Sequence, residues 1–84
     1  MKQCLITFRS VTPAQRSEQL LRRSGVECTL QRTPRWMEQQ GCGYSLALRQ
    51  EDAQMAALIL RKHSISYRKL YCRTENGAYE ELTL

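Results

Sequence analysis

One cysteine lies in a setting suited to sulfur chemistry. Cys42 stands between Gly41 and Gly43, just before a segment with the pattern of a strand. Because glycine has no Cβ atom, the two glycines leave the sulfur accessible, and consecutive N–H groups in such a turn can bind an anion. N–H donors and a nearby cation lower a thiol pKa and favour the nucleophilic thiolate. Arg35 and Arg49, which flank the loop, are the predicted sources of that cation. The alternative is that Cys42 is a small residue in a tight turn.

The other three cysteines have the pattern of core residues. Cys4 and Cys28 are in phase with the apolar faces of predicted strands, and Cys72 fits either the core or a sheet edge. No Cys-x-x-Cys pair occurs, so the spacing predicts no metal site. The first residues have no secretory signal pattern. We therefore expect a cytoplasmic protein whose cysteines are thiols.

The remaining polar residues indicate no enzyme of a familiar kind. His63 follows two basic residues at a helix end, and Glu51 and Asp52 have the pattern of helix-start residues rather than of a catalytic pair. No phosphate-cradling motif is present, so we predict no cofactor. Trp36 and Met37, in the loop before Cys42, are predicted either to cover the core or to contact a partner.

These residues must be positioned by a small fold. The chain has 84 residues and a formal net charge of +5, a length that predicts one domain over residues 1–84 with one thin core. A large enclosed active site is not expected at this size. Hydrophobic residues make up 42%, which excludes a disordered chain, and no apolar run is long enough to span a membrane.

Periodicity predicts five strands and two helices. Alternation and turn signals predict strands over residues 2–9, 26–31, 44–49, 65–72 and 79–84, with helices over 13–23 and 50–62. Thr12 is the predicted N-cap of the first helix, Gly25 its left-handed cap, and Asn76-Gly77 a type I′ turn. The order is that of an α+β, ferredoxin-like βαββαβ sandwich, with an antiparallel sheet, two helices on one face and a C-terminal β-hairpin extension.

The positive charge leaves other functions open. An excess of basic residues attracts RNA, an acidic partner or a small anion, or is simply a solvated surface. Tyr67, Tyr71 and Tyr79 lie near basic residues and could stack on RNA bases. The first and third strands lack an aromatic RNA-binding signature, so we do not expect nucleic acid to be the main partner.

The order of four short motifs resembles a family of small bacterial domains of the selenium/sulfur carrier protein-like type. The matching pieces, which lie within residues 2–72, are Ile6-Thr7-Phe8, Thr33-Pro34-Arg35, Cys42-Gly43-Tyr44 and Leu46-Ala47-Leu48-Arg49. The resemblance implies that Cys42 is the thiol that carries sulfur or selenium. The chain departs from the family in the segment 36–41, which is often serine-rich there, and in the added residues 73–84. It also lacks the Cys-Pro-x-Pro element of better-known sulfur carriers.

The resulting prediction is a carrier rather than an enzyme with its own turnover. Cys42 would hold a persulfide or perselenide, stabilised by Arg35, Arg49 and the backbone of Gly41 and Gly43. Its partners would be donor and acceptor proteins, without a membrane. The alternatives are a non-catalytic protein-interaction or regulatory module and a basic RNA-binding module. The sequence does not distinguish sulfur from selenium and indicates no oligomeric state.

Overall fold

The computed structural model describes residues 3–33 and 43–82, in which five strands and two helices occur. The strands are β1 (Gln3–Phe8), β2 (Cys28–Arg32), β3 (Tyr44–Arg49), β4 (Leu70–Arg73) and β5 (Tyr79–Leu82). The helices are α1 (Val11–Arg23), between β1 and β2, and α2 (Gln50–Lys62), between β3 and β4. The predicted bounds of β3 and α2 are confirmed. Neither helix in this part of the chain is long and apolar enough to cross a membrane.

The strands form one antiparallel sheet in the order β2-β3-β1-β4-β5. Phe8 at the end of β1 lies opposite Tyr44 at the start of β3. Cys4, near the start of β1, lies opposite Leu48 on one side and Cys72 on the other. The predicted α+β class, with two helices and an antiparallel sheet, is confirmed.

Both helices pack on the same face of the sheet. Alternate residues of β1 point to this face, namely Cys4, Ile6 and Phe8, and all three are fully buried. They share one core cluster with residues from both helices, which are Ala14, Leu21, Ala53, Ala56 and Leu60. Each fully buried leucine in such a core contributes about 1.5–3 kcal/mol, so this cluster is the main source of stability.

The opposite face of the sheet also has buried residues at its centre. Leu5 lies opposite Ala47, and Thr7 lies opposite Ser45, and all four are buried. The register therefore places two hydroxyl side chains next to each other on the face away from the helices.

Strand β4 is shorter than predicted. The expected strand over 65–72 is observed as Leu70–Arg73, because α2 ends in a reversal that turns the chain before it returns to the sheet. The N–H of Ile65 donates to the carbonyl of Leu60 (2.9 Å), which holds that reversal. Pairing with β1 starts where the N–H of Arg68 donates to the carbonyl of Thr7 (2.7 Å).

The first helix begins two residues earlier than predicted. Its N-cap is Ser10, not Thr12, and Pro13 lies inside the first turn. The Ser10 side chain makes no capping hydrogen bond. Pro13 is tolerated there because a first-turn N–H has no partner within the helix.

A hairpin joins β4 to β5 as predicted, but its turn is of another type. The N–H of Gly77 donates to the carbonyl of Thr74 (3.0 Å), and the N–H of Thr74 donates to the carbonyl of Ala78 (2.7 Å). Gly77 has a φ of +84°, whereas Asn76 has no positive φ. A type I′ turn requires positive φ at both residues, so that prediction is wrong.

Both helices end in the same hydrogen-bonded reversal, but with different residues at its left-handed position. After α1 this residue is Gly25 (φ +86°), as predicted, and after α2 it is Ser64 (φ +58°). The N–H of Val26 donates to the carbonyl of Leu21 (2.9 Å), which matches the Ile65 bond after α2. A side chain with a Cβ atom is disfavoured at such φ, so Ser64 costs stability that Gly25 does not.

Ser64→Gly is expected to stabilise the protein by about 0.5–1 kcal/mol, since it relieves the left-handed strain while adding some freedom to the unfolded chain. Gly25→Ala is the matched control and should destabilise by about 1 kcal/mol. No atom lies within 4 Å of a Cβ built at Gly25, so the loss would come from the backbone alone. Urea unfolding of both variants measures these changes. A destabilised Ser64→Gly variant would contradict the interpretation.

Candidate functional site

The loop that carries Cys42 is closed at its base by β2 and β3. The N–H of Thr33 donates to the carbonyl of Gly43 (3.0 Å), which extends the pairing of the two strands by one step. Residues 34–42 connect these two positions and lie outside the described residues, as do the predicted site residues Arg35, Trp36, Met37, Gly41 and Cys42. Gly43 is described and is buried. Gly43, the described residue next to Cys42 in sequence, lies at this end of the sheet.

Two buried hydroxyl groups at this base have no hydrogen-bond partner among the described residues. They belong to Thr33, which pairs with Gly43, and to Ser45, which is two residues beyond Gly43 and fully buried. By strand alternation they lie on the same face, away from the helices. Thr7, opposite Ser45, differs because its hydroxyl receives a hydrogen bond from the N–H of Lys69 (3.0 Å).

The unpartnered hydroxyls matter because a buried polar group without a partner is costly. Each such group destabilises a protein by about 1–3 kcal/mol. Most buried hydroxyls in proteins are paired, so an exception calls for an acceptor beyond the described residues. An anion is such an acceptor, and hydrogen bonds to charged acceptors are stronger than those to neutral ones. The Thr33 and Ser45 hydroxyls are therefore two candidate donors at the Gly43 end of β3.

Two arginines among the described residues also lie at this end. The guanidinium of Arg32 lies over the Tyr44 ring, with Cζ 5.9 Å from the ring centroid. Arg9 follows Phe8, and since Phe8 lies opposite Tyr44, the next residues along the two chains are Arg9 and Gly43. Neither arginine stands out from the sequence pattern. Their position at this end follows from the register of the strands, which depends on the whole sheet.

Arg49 lies at the other end of β3 from Gly43. A strand rises about 3.3 Å per residue, so the six steps from Gly43 to Arg49 span roughly 20 Å. The guanidinium of Arg49 lies 3.2 Å from a carboxylate oxygen of Glu51 and 3.3 Å from one of Glu27. These hydrogen bonds, first to Glu51 and then to Glu27, raise the pKa of Arg49 above its usual value. Its role at the thiol stays a prediction.

Cys4 and Cys72 are joined by a disulfide bond. The two residues are 68 positions apart in sequence, but the pairing of β1 with β4 places them opposite each other, with Cα atoms 4.0 Å apart. The expectation that all cysteines are thiols is therefore wrong for this pair. Both residues are buried on the face that the helices cover. Within residues 3–33 and 43–82 no group of three or more His, Cys, Asp and Glu side chains could hold a metal ion.

Cys28 is a free cysteine, but its environment is unsuited to nucleophilic chemistry. It is buried under α1, with 6% of its surface exposed. Burial raises the pKa of the Cys28 thiol above its usual value and outweighs the nearby Arg22 guanidinium, which acts in the opposite direction. A thiol with a raised pKa is protonated at neutral pH and is a poor nucleophile. The structure thus assigns Cys28 to the core, as predicted.

Comparison with known proteins identifies one family. Residues 3–72 match the family model described as "Putative Se/S carrier protein-like". The match covers β1 to the middle of β4 and ends before the hairpin and β5. No curated protein and no solved structure matches the chain. Because the matched segment is well over half of the sequence and contains the Gly43 base with its attached Cys42, the chain belongs to this selenium/sulfur carrier-like family.

Proposed function

We propose that this protein carries sulfur or selenium on Cys42, as a persulfide or perselenide, between a donor and an acceptor protein. In the loading step the Cys42 thiolate attacks the outer sulfur of a donor persulfide. The new S–S bond forms at Cys42, the S–S bond of the donor breaks, and the donor leaves as a thiolate. The transferred sulfur keeps its oxidation state, so the exchange requires no external oxidant or reductant. Family membership supports a carrier role.

The observation that carries the proposal is the pair of unpartnered hydroxyls at the base of the loop. Thr33 and Ser45 have no acceptor among the described residues, and both are close in sequence to the ends of the segment that contains Cys42. A thiolate or a terminal persulfide sulfur is negatively charged and accepts hydrogen bonds. The two hydroxyls would lower the thiol pKa by donating to the charged form. The same donors would stabilise the loaded state.

Other residues have supporting roles in this proposal. Arg35 and the N–H groups of Gly41 and Gly43 would contribute to anion binding, as the sequence predicts. Trp36 and Met37 would contact a partner protein. Arg32, whose guanidinium lies over Tyr44, is nearer to Gly43 along the sheet than Arg49 and would be a second cation beside it.

The architecture suits a carrier that docks into its partners. We infer that residues 1–84 form one domain and that β1 to β4 have the ferredoxin-like arrangement. The strand order β2-β3-β1-β4, with α1 and α2 as the two crossovers on one face, supports this assignment. A carrier of this kind needs no enclosed cavity, because its chemistry would take place against the surface of the partner.

The proposal is tested by loading the wild-type protein. The protein is incubated with a cysteine desulfurase and cysteine, and its mass is measured without reductant. We expect a gain of about 32 Da, one sulfur atom, located on the peptide that contains Cys42. Absence of an adduct under conditions that load the desulfurase itself would contradict the carrier function and favour the interaction-module alternative.

A further inference from the structure

A cleft opens at the same end of the sheet as Gly43, on the side of the helices. Its volume is about 760 Å³, and it lies between the start of α1 and the segment that connects α2 to β4. The described residues that line it are Arg9, Ser10, Pro13, Arg16, Ser64, Ile65, Ser66, Tyr67, Arg68 and Lys69. The cleft does not include the Thr33 and Ser45 hydroxyls, which lie on the other face of the sheet.

The lining is strongly positive. Four of its residues are cationic, and none of the described residues that line it is acidic. Lys69 is partly neutralised, since its ammonium lies 3.5 Å from a carboxylate oxygen of Glu81. Arg9 and Arg16 are exposed and make no ion pair with described residues, so their charge is available to a ligand.

The cationic and hydroxyl-bearing residues that line the cleft favour an oxyanion. Its volume lies within the range of about 300–1,000 Å³ that is typical of small-molecule sites. Guanidinium groups donate two parallel hydrogen bonds to an oxyanion, and three serines, Ser10, Ser64 and Ser66, add neutral hydroxyl donors. The four cationic residues line one cleft rather than an extended stripe. We propose that this cleft binds a phosphate group, either as free phosphate or as part of a phosphate monoester.

One residue of the cleft connects it with the Gly43 end of the sheet. Arg9 lines the cleft and is also the residue that follows Phe8 opposite Tyr44, next to Gly43. A ligand held through its phosphate would therefore lie at the Gly43 end of the sheet. This inference does not depend on the carrier function, because phosphate binding can be measured whether or not Cys42 is reactive.

The test is an NMR titration of the full chain with inorganic phosphate at constant ionic strength. We expect saturable shifts of the amide signals of residues 9–16 and 64–69. Arg16→Gln should weaken phosphate binding by roughly ten-fold, since a charged donor is lost. Arg23→Gln is the matched control, because Arg23 is exposed on the same helix, outside the cleft, and its replacement removes the same charge. Binding to this control should change by less than about two-fold.

Three results would overturn the proposal. The first is the absence of saturable phosphate shifts in these two segments. The second is equal weakening by Arg16→Gln and Arg23→Gln, which would indicate a response to net charge alone. The third is tighter binding of a hexaglutamate peptide or single-stranded RNA than of phosphate at the same amides, which would indicate a surface for a charged macromolecule.

Discussion

Replacement of Cys42 by serine is expected to remove the whole sulfur adduct after incubation with a desulfurase and cysteine. A hydroxyl does not form a persulfide, and no other thiol of the chain is suited to replace Cys42. Cys4 and Cys72 are bonded to each other, and Cys28 is buried with a raised pKa. The measurement is the fraction of protein that gains about 32 Da.

Cys28→Ser is the matched control for this experiment. It removes the free thiol of the described residues and should leave loading at the wild-type level. Its added hydroxyl lies in the core, so folding of this variant must first be verified by circular dichroism. A Cys42→Ser protein that still loads, or a folded Cys28→Ser protein that does not, would place the carried atom elsewhere.

Reduction of the Cys4–Cys72 disulfide is expected to have the largest effect on stability. The bond joins the central strand β1 to β4 and closes a loop of 68 positions, so it restricts the unfolded chain strongly. Loss of such a link lowers the free energy of unfolding by about 2–4 kcal/mol. For a domain of this size that corresponds to a fall in Tm of roughly 10–25 °C.

The experiment compares thermal unfolding with and without dithiothreitol, in the wild-type protein and in a Cys4→Ala/Cys72→Ala variant. The reductant should lower the Tm of the wild type but leave that of the variant unchanged. Alkylation followed by mass measurement shows whether the bond was open in each sample. A wild-type Tm that shifts by less than about 2 °C after complete reduction would show that the bond contributes little to stability.

The elements that local sequence determines were predictable. The alternation from Tyr44 to Arg49 identifies β3 correctly, and the acidic first turn and basic last turn bound α2 correctly. Both patterns involve residues that are close together in the chain. The alternation of a strand and the charges at the ends of a helix can therefore be read from the sequence itself. Gly25 was predictable for the same reason, since glycine is the usual left-handed residue after a helix.

Features that depend on strand pairing were not predictable. The disulfide requires Cys4 and Cys72 to be opposite each other, which follows from the β1–β4 register and not from any spacing pattern. The register of β2 with β3 places the Ser45 hydroxyl on the same face as that of Thr33. Arg49 flanks the predicted loop in sequence, whereas the length of β3 separates it from Gly43.

The left-handed conformation of Ser64 was not predictable either, for a different reason. Nothing in its residue type indicates positive φ, and a strand was predicted to begin directly after it. Leu60 is buried in the core, and the N–H of Ile65 donates to its carbonyl, which fixes the reversal between α2 and β4. Ser64 adopts the left-handed conformation there at a cost in stability. Tertiary packing here overrides a local preference.

The most direct measurement of the central claim is the pH dependence of the alkylation rate of Cys42, followed in the Cys28→Ser background with the disulfide intact. We expect the rate to rise with an apparent pKa below the usual value of about 8.5. Ser45→Ala should move that pKa upward, because it removes a donor to the thiolate. A pKa at or above about 8.5 that Ser45→Ala leaves unchanged would contradict the account, since Cys42 would then be an unactivated thiol.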